Sequence, residues 1–253
     1  MIQNINVGNG KWIIGDCFDA MANIPNSSVD MILCDLPYGT TQNKWDSVLP
    51  LDRLWAEYWR IAKPNAAIVL TAAQPFTSVL ICSALAQFRY EWVWRKSRPT
   101  GQLNAKREPL RDKEDIAVFY RKRPIYNPQM TTGKPNHVSG KPRMKSASAN
   151  WGQQYEITEH KTDQKYPRAV LDFSSLNPVG QLHPTQKPTD LFEYFIRTYT
   201  DEGMTVVDNT AGSGTTAIAA ERSGRRWICI ERDEEYSAKA IARIEGEIQS
   251  RLI

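Results

Sequence analysis

Short apolar runs, separated by polar turns and by stretches with helix-like spacing, set the pattern of this chain. Lys11-Trp12-Ile13-Ile14-Gly15 predicts a first short strand ending at Asp16, and residues 17–24 carry a short helical pattern before the Pro25-Asn26-Ser27-Ser28 turn. Val29-Asp30-Met31-Ile32-Leu33-Cys34 reads as a buried strand that stops abruptly at Asp35-Leu36-Pro37-Tyr38. Residues 51–63 put Leu51, Leu54, Trp55, Tyr58, Ile61 and Ala62 on one helical face, and Lys63-Pro64-Asn65 ends that helix. A strand over 66–71, a helix over 75–87 with proline in its first turn, and strands over 90–95 and 115–121 follow. The regular pattern disappears over 121–182. It resumes with a helix over 191–200, a strand over 204–208, a glycine turn, a helix to Ser223, a strand over 226–231 and a helix over 234–252. Strands alternating with helices predict an α/β fold with a mainly parallel sheet and helices on both faces.

Composition narrows the class. With 41% hydrophobic and 24% charged residues, and no apolar run of membrane-spanning length, the chain reads as a globular protein with no membrane partner. The N-terminus lacks a signal pattern, Cys17, Cys34, Cys82 and Cys229 are widely spaced, and the histidines show no metal-ligand spacing; a cytoplasmic protein with free thiols and no metal is expected. The net charge of +4 is unevenly spread: residues 95–145 hold 14 Lys or Arg against 4 Asp or Glu. That is the footprint of a phosphate-backbone binder, with a solvated face as the plain alternative. Arg98, Lys106, Arg107, Arg121, Lys122 and Arg123 are the candidate backbone contacts. Residues 131–149, with Gly133-Lys134-Pro135 and Gly140-Lys141-Pro142, are poor in large apolar residues and expected to be mobile. Trp151, Tyr155, Tyr166 and a strand-like run over 168–173 offer a small core beyond them. Residues 39–50, with Trp45, read as a lid or a plain connection.

Two stretches carry candidate chemistry. Asp35, at a strand end, would lie in the crevice where open α/β sheets bind ligands. Acceptor oxygens beside the Tyr38 ring suit a flat, amino-bearing substrate such as a nucleobase, although Asp-x-Pro-Tyr is also ordinary turn chemistry. In the second stretch, a strand ending at Asp208 leads through Gly212-Ser213-Gly214 into a helix, which exposes backbone N–H groups at a positive helix end. Glu231, at the tip of the next strand and 17 residues beyond Gly214, stands where an acid takes ribose hydroxyls. Gly212-x-Gly214-x-x-Ala217 also fits the fingerprint of nicotinamide and flavin enzymes. Only about forty residues follow Gly214, too few for a second mononucleotide-binding half unless the order is permuted.

Asp35-Leu36-Pro37-Tyr38, His183-Pro184-Thr185-Gln186-Lys187-Pro188 and Asp208-Asn209-Thr210-Ala211-Gly212-Ser213-Gly214-Thr215 together resemble the S-adenosylmethionine-dependent DNA amino-methyltransferases, in the permuted group whose catalytic half comes first. The resemblance implies a Rossmann-like methyltransferase sheet with an irregular basic insertion: a catalytic half over 1–120, a target-recognition insertion over 121–182 and a cofactor half over 183–253. It implies a methyl transfer from S-adenosylmethionine to the amino group of a flipped-out base in double-stranded DNA, with Asp35, Leu36, Pro37 and Tyr38 catalytic. Asp16, beside Cys17, would contact the cofactor's adenine and Glu231 its ribose. Asp208, Thr210, Gly212, Ser213, Gly214 and Thr215, with Lys187 and Pro188, would line its methionine end. A carboxylate at position 35, where the cytosine-amino enzymes of the family have serine, favours adenine. Cytosine amino groups, RNA, or a binding-only role are the alternatives, and a homodimer is left open. The chain departs from the family at Leu36, usually a first proline, and at Thr210, usually phenylalanine.

Overall fold

A computed structural model describes residues 2–39, 46–135, 163–175 and 186–251. Residues 40–45 with Trp45, the stretch from 136 to 162 with Trp151 and Tyr155, and His183-Pro184-Thr185 lie outside the described residues. The chain forms two compact units, Met1–Asn127 with Ala169–Ile253, and Pro128–Arg168.

The strands of the large unit are β1 (Gln3–Val7), β2 (Gly10–Ile14), β3 (Val29–Asp35), β4 (Ala62–Ala72), β5 (Phe88–Thr100) and β6 (Arg111–Phe119), then β9 (Val170–Phe173), β10 (Thr205–Asp208) and β11 (Arg226–Glu231). The small unit contains β7 (Thr131–Thr132) paired antiparallel with β8 (Gln164–Lys165). Tyr166, expected in a core there, is 74% exposed. In the large unit nine strands form one sheet in the order β1-β2-β11-β10-β3-β4-β6-β5-β9. From β2 to β4 the pairings are parallel. β6 runs antiparallel to β4 and β5, β9 adds in parallel to β5, and β1 closes the other edge antiparallel.

The middles of the central strands are apolar because helices cover both faces, and their polar residues fall mainly toward the ends. Helices α1 (Cys17–Ala22), α2 (Leu51–Ile61) and α3 (Phe76–Ser83) pack on one face, and Phe18, Met21, Leu54, Tyr58, Phe76 and Leu80 meet Ile32, Cys34, Ile68 and Leu70. The other face takes α4 (Thr189–Tyr199), α5 (Thr215–Arg222) and α6 (Glu234–Ser250), where Phe192, Phe195, Ile218 and Ile244 meet Met31, Leu33, Val69 and Val206. Alternate residues of one strand serve opposite cores, as the period of two requires.

Several elements differ from the sequence pattern, β4 among them: it starts at Ala62, so Lys63-Pro64-Asn65 belong to the strand and not to the helix end. β1 was not expected; its Gln3, Asn4 and Asn6 give an edge strand little apolar signal. α3 ends at Ser83 instead of reaching residue 87, and Leu85 beyond it is 63% exposed, with no surface to pack on. β5 and β6 are longer than their apolar cores. Pairing of β4 with β6 stops at Ala72 opposite Asp115, while β5 and β6 continue through Trp94 opposite Glu114 to Thr100 opposite Arg111. The hairpin therefore projects past the end of β4, in a polar segment that alternation of apolar residues could not mark.

Candidate active site

The parallel strands β2, β11, β10, β3 and β4 end along one edge of the sheet, and each contributes a polar terminus. Gly15 and Asp16 follow β2, Glu231 closes β11, Asp208 closes β10, Asp35 closes β3 and Thr71 stands beside it in register on β4. From β3 the chain crosses to β4 on one side; from β10 it crosses to β11 on the other. The strand order thus reverses between β10 and β3, and open α/β sheets bind their ligands at that point.

The glycine turn lies on one side of the reversal. Gly212 and Gly214 have φ of 50° and 76°, which glycine adopts without the strain of a side chain. A Cβ at Gly214 would also stand 3.2 Å from Ile244 Cδ1, so this residue lets α6 close on the turn. At Gly212 a Cβ would meet nothing nearer than the Thr210 carbonyl at 4.0 Å, which leaves open space over the turn. Glu231 accepts hydrogen bonds from Gly212 N–H and Asp233 N–H, one on each oxygen at 2.9 Å, and retains lone pairs for hydroxyl groups. Asp16 caps α1 by accepting from the N–H groups of Phe18 and Asp19 through Oδ1. Burial raises the neighbouring Cys17 thiol above its ordinary range. Asp208 is buried and accepts from Thr210 N–H at 3.0 Å and from the Thr216 hydroxyl; burial pushes its carboxyl up to about 7. Ser213 and Thr215 hydroxyls are 3.3 Å apart, and Pro188 precedes α4 at its N-cap.

Across the reversal, Asp35 is closely partnered. Its Oδ1 accepts from the Tyr38 hydroxyl at 2.7 Å and from the Thr71 hydroxyl. Its Oδ2 is 2.9 Å from Lys187 Nζ. The Tyr38 ring stacks on Phe76, centroids 5.4 Å apart, and Lys187 Nζ lies 5.5 Å over it. Burial, then the Asp35 and Glu114 charges, push the Tyr38 phenol well up, so it stays a donor. The two departures from the family motif also have places: Leu36 is buried in the core beneath α1 to α3, and the Thr210 hydroxyl donates to the Asp35 carbonyl at 3.0 Å, tying the end of β10 to the end of β3.

Of the residues read from the sequence, Asp35, Tyr38, Lys187 and Thr210 meet at the reversal, and Glu231 meets the glycine turn. The Lys187 side chain is directed to Asp35, while its backbone carbonyl lies 3.4 Å from Thr215 Oγ1 of the turn. Sequence reasoning missed Thr71, Phe76, Glu114 and Lys96. Thr71 carried the same signal as Asp35, a polar residue closing an apolar strand; Glu114 and Lys96 were marked only by strand register. The basic candidates separate. Arg98, Lys106 and Arg107 belong to the projecting β5–β6 hairpin on the ligand edge, whereas β6 carries Arg121, Lys122 and Arg123 to the opposite end of the sheet. There Arg121 donates to the Ala62 carbonyl and lies over the Trp59 ring.

A mainly parallel sheet whose order reverses beside a glycine turn defines the doubly wound, Rossmann-like folds as the class. Within that class the chain belongs to the DNA methylase family, whose model matches residues 29–242. It is 29% identical over 251 residues to the DNA adenine methyltransferase YhdJ of Escherichia coli (strain K12), covering 93% of this chain and 83% of that protein. Two solved structures share the fold. The M1.HpyAVI–SAM complex has a TM-score of 0.62 at 24% identity, covering 92% of this chain and 99% of the other. The cytosine-N4-specific PvuII DNA methyltransferase has a TM-score of 0.67 at 18% identity, covering 97% and 94%.

Proposed function

We propose that this enzyme transfers a methyl group from S-adenosylmethionine to the exocyclic amino group of adenine in double-stranded DNA. The observation that carries the reading is the Asp35 carboxylate at the end of β3, beside Tyr38 and across the strand reversal from the glycine turn. The adenine methyltransferase named among its relatives supports the same choice of base.

The open space over Gly212 and the lone pairs left on Glu231 fit an adenosine-bearing donor. Glu231 would hold the ribose, Asp16 with Cys17 the adenine, and Asp208, Thr210, Gly212, Ser213, Gly214, Thr215 and Pro188 the methionine end. S-adenosylmethionine supplies an electrophilic methyl group on a sulfonium. The residues on the β3 side prepare the nucleophile. An exocyclic amino nitrogen is weakly nucleophilic because its lone pair is delocalised into the ring. Hydrogen bonds from its two hydrogens to Asp35 Oδ2 and the Leu36 carbonyl favour a pyramidal nitrogen with a localised lone pair. Pro37 fixes the backbone that carries that carbonyl. Flipping the base out costs a few kcal/mol, and stacking on Tyr38, worth about 1–3 kcal/mol, offsets much of it. Positioning contributes most, since aligned intramolecular reactions draw about 7–11 kcal/mol from it. The amino proton becomes acidic only after transfer, so Asp35 acts as an acceptor before it acts as a base.

The β5–β6 hairpin carries the phosphate contacts through Arg98, Lys106 and Arg107, and the insertion over residues 121–182 supplies target recognition. Incubating the protein with methyl-labelled donor and unmethylated duplex DNA, then separating the nucleosides, tests the assignment. Label in N6-methyladenine is the expected outcome. Label in N4-methylcytosine overturns the choice of base, and label that appears only when RNA is supplied in place of the duplex overturns the substrate.

A further inference from the structure

We propose that Glu114 is a positioning residue that receives the Lys187 ammonium when a base enters, so that Asp35 can accept from the amino group. The inference rests on the function proposed above and concerns how the same site opens.

Lys187 occupies the place the substrate needs. Its ammonium is 2.9 Å from Asp35 Oδ2, the oxygen not taken by Tyr38 and Thr71, and it lies over the ring on which the base would stack. The side chain is 7% exposed. An ammonium beside a carboxylate gains charge–charge attraction that a neutral amino donor lacks. A neutral amino group therefore does not displace Lys187 from Asp35 unless the lysine keeps another anion. Losing its proton is no way out: burial opposes the charge, but the Asp35 and Glu114 carboxylates more than offset it and hold the ammonium above its ordinary range.

Glu114 is that other anion. It sits on the projecting part of β6, opposite Trp94, and its Oε2 is 3.1 Å from Lys187 Nζ. That oxygen is buried, and Lys187 already stands between the two carboxylates, 2.9 Å from Asp35 Oδ2 and 3.1 Å from Glu114 Oε2. Its other oxygen is 2.6 Å from Lys96 Nζ. Asp35, Lys187, Glu114 and Lys96 thus form one chain with two negative and two positive charges. A small shift of Lys187 toward Glu114 keeps the chain neutral, retains the pair at Oε2, and clears both Asp35 Oδ2 and the face of Tyr38. Breaking a buried pair without a second partner would strand a charge, which is strongly unfavourable.

Glu114→Gln keeps the shape and removes the second anion. With saturating S-adenosylmethionine and unmethylated duplex DNA, assayed well below the melting transition, this variant should lose roughly tenfold or more in kcat, while its dissociation constant for S-adenosylmethionine stays near that of the parent. Its melting temperature should fall, because Lys96 loses its partner. Because Glu114 acts through Lys187, the Glu114→Gln/Lys187→Met double variant should turn over no more slowly than Lys187→Met alone. Parental turnover by Glu114→Gln would overturn the proposal, as would losses from the two substitutions that multiply independently. Failure of the parent to methylate DNA would instead overturn the function on which the proposal rests.

Discussion

Asp208 shows how a residue can be recognisable in the sequence and still acquire an unexpected state. Closing a buried strand, it was legible as a site acid, but its protonation depends on the α5 packing above it and on its two donors. Burial holds its carboxyl up to about 7, above the ordinary value near about 4. The folded chain then keeps a proton that the unfolded chain releases. Asp208 lowers stability progressively as the pH rises from about 4 to about 7, and by a constant amount above that. Asp208→Asn removes the titration. Denaturant unfolding of the ligand-free protein should find the variant more stable by on the order of 1–3 kcal/mol at pH 8, with the difference vanishing toward pH 4. Thr210 makes the complementary point. It stands where the family usually has phenylalanine, and its hydroxyl bonds to the Asp35 carbonyl, a contact between residues 175 apart in the chain.

At the scale of elements, the β5–β6 hairpin is where sequence and structure differ most usefully. The basic surplus over 95–145 was visible, but alternation of apolar residues ended β5 too early and began β6 too late. Register shows that one part of the surplus lies on the ligand edge and another at the far end of the sheet. Changing Arg98, Lys106 and Arg107 to glutamine should weaken binding to duplex DNA and reduce the slope of log K against log salt by about 0.9 for each phosphate that is no longer neutralised. The same changes at Lys122 and Arg123 should leave the slope unchanged. Salt titrations of the triple and the double variant distinguish the two ends directly, and an equal effect at both would refute the assignment to the hairpin.

For the whole molecule, the decisive feature is the reversal of strand order between β10 and β3, which brings an early and a late segment of the chain to one crevice. Ligand bound on the glycine-turn side should stabilise the entire sheet by mass action. At one hundred times its dissociation constant, S-adenosylmethionine should add about 2.7 kcal/mol, raising the melting temperature by about 5–10 °C. Asp35→Ala should retain that shift while losing methyl transfer, because Asp35 stands on the other side of the reversal. Loss of the thermal shift in this variant would show that Asp35 belongs to the donor site.

The sequence by itself determined the α/β class, most of the central strands and helices, and the identity of the strand-end acids, because burial between two helical layers imposes apolar runs and chemistry imposes the polar residues that end them. Tertiary structure alone decided what those residues touch. Asp35, Lys187, Glu114 and Lys96 come from four separate stretches, and no local pattern records that their charges meet. Their meeting depends on the register of β3, β4, β6 and β5, and register is set by long-range packing of side chains across the sheet.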